Sequence, residues 1–200
     1  MDKVANNALI LELNKIGAIK FGEFTLKSGI VSPIYIDLRI LVTYPKLLKK
    51  IAKSYGPLLK QIKYDRLAGI PYAALPIACA ISLEFDQPWV YNRKEVKDYG
   101  TKKIIEGEFK PGETIVVIDD LITKGDSKLE VVEPFTKEGL VISDFVVFID
   151  REQGGKQTLA THGFNLHAVL TITDILNCLL LNKLIDKTMY GGVKEFLRNN

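Results

Sequence analysis

Cysteine and histidine are both scarce in this chain. Its two cysteines, Cys79 and Cys178, lie far apart in the sequence and in apolar surroundings, which is typical of buried thiols in a reducing compartment. Its two histidines, His162 and His167, are not spaced to share one face of a helix, and no cysteine lies near them. This scarcity excludes a disulfide framework and argues against a structural zinc site.

Long apolar runs, targeting signals and a strong net charge are also missing. No stretch approaches the roughly 18 uncharged apolar residues of a membrane span, and the N-terminus lacks the regions of a cleavable signal. The formal net charge is only +3, which is too small for the basic footprint of a protein that binds duplex nucleic acid. We therefore expect a cytoplasmic protein with no membrane and no nucleic-acid partner.

Three common catalytic motifs are absent as well. The chain has no G-x-x-x-x-G-K-[ST], no G-x-G-x-x-G and no G-x-S-x-G. These are the motifs of P-loop nucleotide hydrolysis, dinucleotide binding and the hydrolase nucleophile. Their absence removes support for three large classes of enzyme.

The composition is that of an ordinary globular protein. The chain has 200 residues, of which 47% are hydrophobic and 26% charged, with 15 glycines and 8 prolines. This balance argues against disorder, collagen and coiled coil. The length leaves room for one domain, which can bury enough surface to fold without a metal or a disulfide.

The N-terminal part of the chain predicts a helix, a strand and a second helix. Apolar residues of segment 4–16 fall on one helical face. A two-residue alternation around Ile36 predicts a strand. The second helix is expected over residues 45–62, with an interruption at Gly56 and Pro57.

Strands and helices alternate from residue 66 onwards. The predicted strands are RLAGI, PWVYN, TIVVI, DFVVFID and HAVLTI. Helices are expected over ALPIACAISLEF and up to about Glu138, the second kinked by Pro134 and stopped by Gly139. This order predicts an α/β fold with an open, mostly parallel sheet flanked by helices, whose ligands bind outside the carboxyl ends of the strands.

The string TIVVIDDLITKGDS, residues 114–127, is the most informative stretch. A buried strand carries Asp119 and Asp120 to its carboxyl end, and a short loop with Thr123 and Gly125 follows. Backbone N–H groups in such a loop can face a phosphate, while carboxylates suit the hydroxyl groups of a sugar. Consecutive strand side chains point to opposite faces, so we expect the two aspartates to play unequal roles. The pattern leaves open which of the two aspartates has the larger role in binding and catalysis.

This string resembles the phosphoribosyl pyrophosphate (PRPP) motif of type I phosphoribosyltransferases. Further segments are similar to orotate phosphoribosyltransferase over nearly the whole chain: FTLKSGIVSPIYIDLR to its N-terminal region, NRKEVKDYGTKKIIEG to its catalytic loop, and FIDREQGG to its orotate-side strand end. GIPYAALPIA, KDYGTK and DREQGGKQTLATHG most resemble the transferase domain of uridine monophosphate synthase. A stand-alone enzyme and a domain of a bifunctional one are both consistent with these segments.

The resemblance implies one phosphoribosyltransferase domain over residues 1–200. Its parts are a small N-terminal hood over about 1–45, a PRPP-binding core over about 46–172 and C-terminal helices over about 173–200. The implied reaction joins orotate and PRPP to give orotidine 5′-monophosphate and pyrophosphate in pyrimidine synthesis, with Mg²⁺ held mainly by PRPP. Breaking the ribosyl bond develops charge on both fragments, and preorganised groups stabilise such charge. The catalytic residues implied are Lys97, Asp119 and Asp120.

The implied PRPP and pyrophosphate contacts come from several segments. Arg93 would bind pyrophosphate through a fork of donors, and the lysines beside it as point charges. In the family this basic loop, here residues 93–103, reaches the neighbouring subunit's site, so the resemblance implies a homodimer. The full set is Lys27, Tyr72, Ala73, Arg93, Lys94, Lys97, Tyr99, Asp119, Asp120, Leu121, Ile122, Thr123, Lys124, Gly125, Asp126 and Ser127.

The orotate contacts implied in the same way lie in two other strands and in the phosphate loop. Arg151 directly follows FVVFID, and its planar donor fork suits the oxygens of orotate. Lys27 is expected to meet both orotate and pyrophosphate. The full set is Lys27, Tyr35, Ile36, Thr123 and Arg151.

The chain departs from the family pattern at three positions. Ala73 stands where many bacterial members have lysine, and backbone amides nearby would replace that cation. Tyr99 stands where those members have histidine. Asp126 stands where serine or threonine is usual beside the 5′-phosphate, and its carboxylate would either turn away or cap the helix.

Two other functions remain open from the sequence. One is a regulatory module that binds nucleotide or RNA without turnover, which Asp126 and Ala73 favour and the retained basic loop disfavours. The other is a phosphoribosyltransferase for another base such as a purine. Arg151 and Lys27 favour an acidic pyrimidine, because a neutral purine offers them no carboxylate.

Overall fold

The computed structural model describes residues 3–25, 29–93 and 104–200. The strands, in chain order, are β1 (Ile19–Thr25), β2 (Val31–Ile36), β3 (Arg66–Gly69), β4 (Trp89–Asn92), β5 (Ile105–Glu106), β6 (Thr114–Ile122), β7 (Val141–Asp150) and β8 (Asn165–Thr171). The helices are α1 (Lys3–Lys15), α2 (Pro45–Leu59), α3 (Ala74–Phe85), α4 (Asp126–Leu129), α5 (Val132–Lys137), α6 (Gly155–Thr161), α7 (Ile172–Leu181) and α8 (Lys187–Asn199), with a 3₁₀ helix over Leu38–Thr43.

Six strands form one sheet in the order β5-β4-β3-β6-β7-β8. All neighbours run parallel except β4 and β5, which pair antiparallel. The predicted α/β class with a mostly parallel sheet is therefore confirmed. Because β3, β4, β6 and β7 point the same way, their carboxyl ends meet at one edge of the sheet, where ligands of such folds bind.

Both faces of the sheet are covered, and the central strand shows why its sequence is apolar without a break. Val116 and Ile118 of β6 pack into a cluster with α2 and α3, whereas Ile115 and Val117 pack into a second cluster on the other face. The second cluster includes Phe135 of α5. A strand buried on both faces has no polar positions to alternate with apolar ones.

The N-terminal region forms a separate two-stranded antiparallel sheet of β1 and β2. The predicted helix and the strand around Ile36 are present, but β1 was missed. Its residues pair with β2 from Ile19, opposite Ile36, to Thr25, opposite Val31. Both Ile19 and Ile36 are buried.

The predicted interruption of the second helix is wrong, because α2 continues through Pro57 to Leu59. Pro57 lies in the last turn, where its missing N–H costs one hydrogen bond near the helix end. Gly56 has a packing role here: a Cβ at this position would lie 2.6 Å from the ring of Phe85. The glycine thus lets α3 pack directly against α2.

The helix expected to run to about Glu138 is instead two short helices, α4 and α5. Pro134 explains the break, since its ring would clash with the carbonyl four residues earlier in a continuous helix. It lies in the first turn of α5, where proline is tolerated. Cys178 is buried as expected, and Cys79 is only half-buried. Within the described ranges, every helix is too short or too polar to cross a lipid bilayer.

Candidate active site

The two acidic residues of β6 have different environments. Asp119 is buried, with its side chain 7% exposed and in an ion pair with Lys128 of α4. Its Oδ1 accepts a hydrogen bond from the amide of Asp120 over 2.8 Å. The hydroxyl of Tyr55 donates to the backbone oxygen of Asp119 over 3.0 Å. Both oxygens of the Asp119 carboxylate are therefore engaged within the protein.

Asp120 is half-buried and, unlike Asp119, forms no ion pair with a described residue. Its Oδ1 accepts a hydrogen bond from the amide of Leu121 over 2.8 Å. Burial, followed by the charge and the hydrogen bond of Asp119, raises the pKa of Asp120 to about 7. Burial and the two nearby carboxylates also raise the pKa of Tyr55 well above its ordinary value. The expected inequality of the two aspartates is thus present in their surroundings.

Lys128 was not predicted as a site residue. It lies in the single turn of α4, and side chains of a helix tilt toward its N-terminus. A lysine in the first turn after a strand and loop is therefore directed back toward the strand end. That direction is the signal from which Lys128 could have been found.

The loop between β6 and α4 turns sharply at Gly125, whose φ is +98°. A side chain here would be strained and would lie 3.3 Å from the carbonyl oxygen of Gly155. Gly125 is also the N-cap of α4, and no side chain caps this helix. Of the two alternatives for Asp126, a cap of the helix or a carboxylate that turns away, the cap is therefore not found. The carboxylate-bearing residue Asp126 is exposed.

The other predicted phosphate-loop residues differ in their exposure. Lys124 and Ser127 are exposed, and Thr123 is half-buried. Because α4 has only four residues, its dipole is small, and any phosphate contact must come from the loop amides and hydroxyls.

Arg151 lies directly after β7, beside the loop that follows β6. Its amide donates to the carbonyl oxygen of Ile122 over 3.0 Å. Its Nε and Nη2 atoms are buried and have no hydrogen-bond partner among the described residues. Burial lowers the pKa of the Arg151 guanidinium. A buried cation with unpaired donors is costly, so this group is suited to an anionic ligand.

Two further strand ends reach the same edge of the sheet. After β3, Tyr72 is exposed and Ala73 is half-buried, at the start of α3. After β4, Arg93 forms an ion pair with Glu106 of β5. The side-chain amide oxygen (Oδ1) of Asn92 in β4, also missed from the sequence, is buried without a hydrogen-bond partner in the described chain. Arg93 would have to share its donors to bind pyrophosphate.

The hood residues expected near the base lie on β2. The hydroxyl of Tyr35 accepts a hydrogen bond from Arg39 over 3.0 Å, and its ring stacks on Phe24. Ile36 is 9% exposed and packs in the core. Its predicted contact with orotate gains no support from this burial. Four other predicted site residues lie outside the described residues: Lys27, Lys94, Lys97 and Tyr99.

The donor set at the site was tested against a bound Mg²⁺. In the parts of the chain that the structure describes, no group of three or more His, Cys, Asp or Glu side chains is arranged to hold a metal ion. Mg²⁺ commonly keeps several water ligands and binds through substrate phosphates. The described side chains therefore offer no protein cage for Mg²⁺, and such an ion would have to be held mainly by the phosphates of a bound substrate.

The fold and the paired acidic residues before a glycine loop at the strand end define a type I phosphoribosyltransferase. The chain is 38% identical over 173 residues to the orotate phosphoribosyltransferase of Natronomonas pharaonis, with 86% of this chain and 98% of that protein covered. It is 40% identical over 195 residues to the uridine 5′-monophosphate synthase of Bos taurus, with 96% and 41% covered. The chain belongs to the orotate phosphoribosyltransferase family.

A solved structure gives the same result. The structure of Leishmania donovani UMP synthase superposes with a TM-score of 0.91 at 41% identity, covering 99% of this chain and 43% of that one. The chain thus spans about two fifths of the length of the UMP synthases that it matches. No protein-family model matches the chain.

Proposed function

We propose that this chain transfers the phosphoribosyl group of PRPP to orotate, giving orotidine 5′-monophosphate and pyrophosphate. The observation that carries this proposal is the half-buried Arg151, whose buried Nε and Nη2 atoms have no hydrogen-bond partner among the described residues. Orotate brings a carboxylate and ring oxygens, which are planar acceptors that match the guanidinium fork. A neutral purine offers no charge to offset the cost of burying this cation.

The remaining groups suit the other half of the reaction. Asp120 is the carboxylate available to the ribose hydroxyls, because both oxygens of Asp119 are engaged. As the bond to pyrophosphate lengthens, positive charge develops on the ribose, and a carboxylate held near it stabilises that charge. The amides and hydroxyls of loop 123–127 would bind the 5′-phosphate.

The pyrophosphate side of the proposal rests on the family resemblance. Arg93, with Lys27, Lys94 and Lys97, would bind the leaving group, and Mg²⁺ on PRPP oxygens would neutralise its charge. A homodimer in which the loop over residues 93–103 serves the neighbouring site belongs to the same proposal. Cytoplasmic location and the absence of a nucleic-acid partner stay predictions from composition.

An assay of the purified chain tests the proposed reaction. Conversion of orotate lowers its ultraviolet absorbance, so the absorbance is followed with PRPP and Mg²⁺ present. Arg151→Gln should lower kcat/KM for orotate by about 100-fold or more, since a partner of a charged group is lost. PRPP affinity, measured by titration calorimetry, should change much less.

Arg66→Gln is the matched control, because it makes the same chemical change at the amino end of β3. It should leave the kinetic constants near those of the unaltered chain. If the unaltered chain binds PRPP and Mg²⁺ but does not convert orotate, the proposal fails and a non-catalytic module is favoured. If hypoxanthine or adenine is consumed in place of orotate, the transferase class stands and the base is wrong.

A further inference from the structure

The pair of carboxylates on β6 poses an electrostatic problem for a ligand as negative as PRPP. Asp119 and Asp120 are neighbours in the chain, and both are at least half-buried. Two uncompensated negative charges would repel the phosphate and pyrophosphate groups that must bind beside them. Neutralising one of the two charges within the protein would lower this repulsion.

Lys128 is placed to neutralise Asp119. Its ammonium group forms the ion pair with Asp119 Oδ2, and the two side chains are 8% and 7% exposed. A lysine is rarely buried to this extent unless its charge is paired. Its Nζ also lies 3.4 Å from the hydroxyl of the neighbouring Ser127, and the ion pair with Asp119 joins helix α4 to strand β6.

The same contact separates the two aspartates in function. Asp119 has one carboxylate oxygen on Lys128 and the other on the amide of Asp120. Asp120 forms no ion pair with any described residue; its Oδ1 accepts from the amide of Leu121, and its side chain is in hydrogen-bond contact with that of Asp119. The groups that surround the pair are Tyr55 from α2, Lys128 from α4 and the two carboxylates of β6.

We propose that Lys128 is a positioning residue: it holds Asp119 away from the ligand and cancels its charge, so that Asp120 alone meets the ribose hydroxyls of PRPP. This inference rests on the proposed function. By this inference Asp120 is the aspartate that binds the ligand, because the ion pair between α4 and β6 engages Asp119.

A double-mutant cycle tests the role of Lys128. It compares the unaltered chain with Lys128→Met, Asp119→Asn and the double variant. Lys128→Met leaves Asp119 as an unpaired buried charge, so KM and the dissociation constant for PRPP should rise about tenfold or more, with a smaller change in kcat. Asp119→Asn should weaken PRPP binding by less than tenfold. In the double variant both charges are gone, and PRPP binding should return to within about threefold of that of Asp119→Asn.

Two controls separate this role from a structural one. Lys137→Met removes an exposed lysine that pairs with Glu133 on α5 and should leave PRPP binding unchanged. Asp120→Asn should lower kcat by about 100-fold even though Lys128 is present. If Lys128→Met does not fold, the double variant still decides, because a neutral pair at these positions should fold and bind PRPP.

Three results would overturn the inference. Additive losses in the double variant would mean that Lys128 binds PRPP directly. Equal losses from Asp119→Asn and Asp120→Asn would mean that the two carboxylates share the ligand. A double variant that fails to bind PRPP would remove the charge argument. Because PRPP binding is measured by calorimetry, the cycle can be interpreted even if orotate is not the base, so its failure is distinct from failure of the proposed function.

Discussion

The amide of Gly155 donates a hydrogen bond to the carbonyl oxygen of Thr123 over 2.9 Å. This bond joins the segment that follows Arg151 to the loop that follows β6. The approach is close because Gly155 has no side chain: a Cβ there would lie 2.6 Å from Ile122 Cγ1 and 2.7 Å from Thr123 O. The proposed orotate and phosphate contacts are therefore held at a fixed separation by backbone packing.

Gly155→Ala should disturb the candidate site, because the added methyl group crowds this contact. The added methyl group must displace Ile122 or the loop backbone, which costs about 1 to 3 kcal/mol of stability for an overpacked position. We also expect a lower kcat/KM for both substrates, because the two loops move apart. Urea unfolding and steady-state kinetics measure the two effects.

Gly192→Ala is the matched control for that variant. Gly192 lies in the exposed interior of α8, and a Cβ there meets nothing within 4 Å. The substitution should raise stability by about 0.5 to 1 kcal/mol, because alanine loses less backbone entropy in a helix. A Gly155→Ala chain that matched it in stability and activity would contradict the packing argument.

Asp120 makes the stability of the protein depend on pH. Its pKa is raised from 3.8 to about 7, so the folded chain holds a proton that the unfolded chain has released between these values. Stability therefore falls as pH rises through that window. Asp120→Asn should raise the free energy of unfolding at about pH 8 by on the order of 2 kcal/mol, and much less at about pH 3.5. An equal effect at both pH values would refute the raised pKa.

Much of the fold could be predicted because the apolar pattern of the central strands is unambiguous. The continuous run at Val116 and Val117 indicates a strand covered on both faces, and such strands belong to parallel sheets. The acidic pair after it places a site at the strand end. β1 was missed because its register comes from pairing with β2, which a single sequence does not display.

The contacts that join distant segments could not be predicted from local pattern. The ion pairs of Lys128 with Asp119 and of Arg93 with Glu106 depend on how α4 and β5 pack against the sheet. The sequence GDSKLE has no apolar stripe to indicate that its lysine is buried. Helix geometry gives only the direction of that side chain, not its partner. Charge partners of this kind require the tertiary fold.

The ion pair of Arg66 with Glu113 should stabilise the protein near neutral pH and lose that effect in acid. Arg66 Nε and Nη2 reach the Glu113 carboxylate over 2.5 and 2.9 Å. Hydrogen bonding to Arg66 lowers the pKa of Glu113 to about 2. A lowered carboxyl pKa contributes stability above its ordinary value of 4.5, and that contribution is lost as pH falls from there toward 2.

Glu113→Gln should therefore destabilise the chain near pH 7 and have little effect near pH 2. Glu133→Gln, which breaks the exposed pair with Lys137, should change stability less, since exposed pairs contribute little. Thermal unfolding at several pH values measures both variants. The orotate assay should be unaffected by Glu113→Gln, because this residue lies before β6, at the edge of the sheet opposite the site.

Arg151 should lower the stability of the ligand-free protein, although its proposed role is to bind orotate. Its buried, unpaired Nε and Nη2 lose their hydration without compensation from the described residues, at a cost of about 1 to 3 kcal/mol. Arg151→Met keeps the length of the side chain and removes the charge, so the melting temperature without ligand should rise by a few degrees, or roughly 1 to 3 kcal/mol in stability.

Arg66→Met is the matched control, and the same substitution at this position should change the melting temperature in the opposite direction. Arg66 is paired with Glu113, so its loss should lower the melting temperature. Orotate with PRPP and Mg²⁺ should raise the melting temperature of the unaltered chain and of Arg66→Met, because ligands that bind only the folded state stabilise it. In Arg151→Met, PRPP with Mg²⁺ should still raise the melting temperature, but adding orotate should raise it no further. A ligand-free Arg151→Met chain that melts lower than the unaltered protein would mean that the guanidinium already has a partner within the fold.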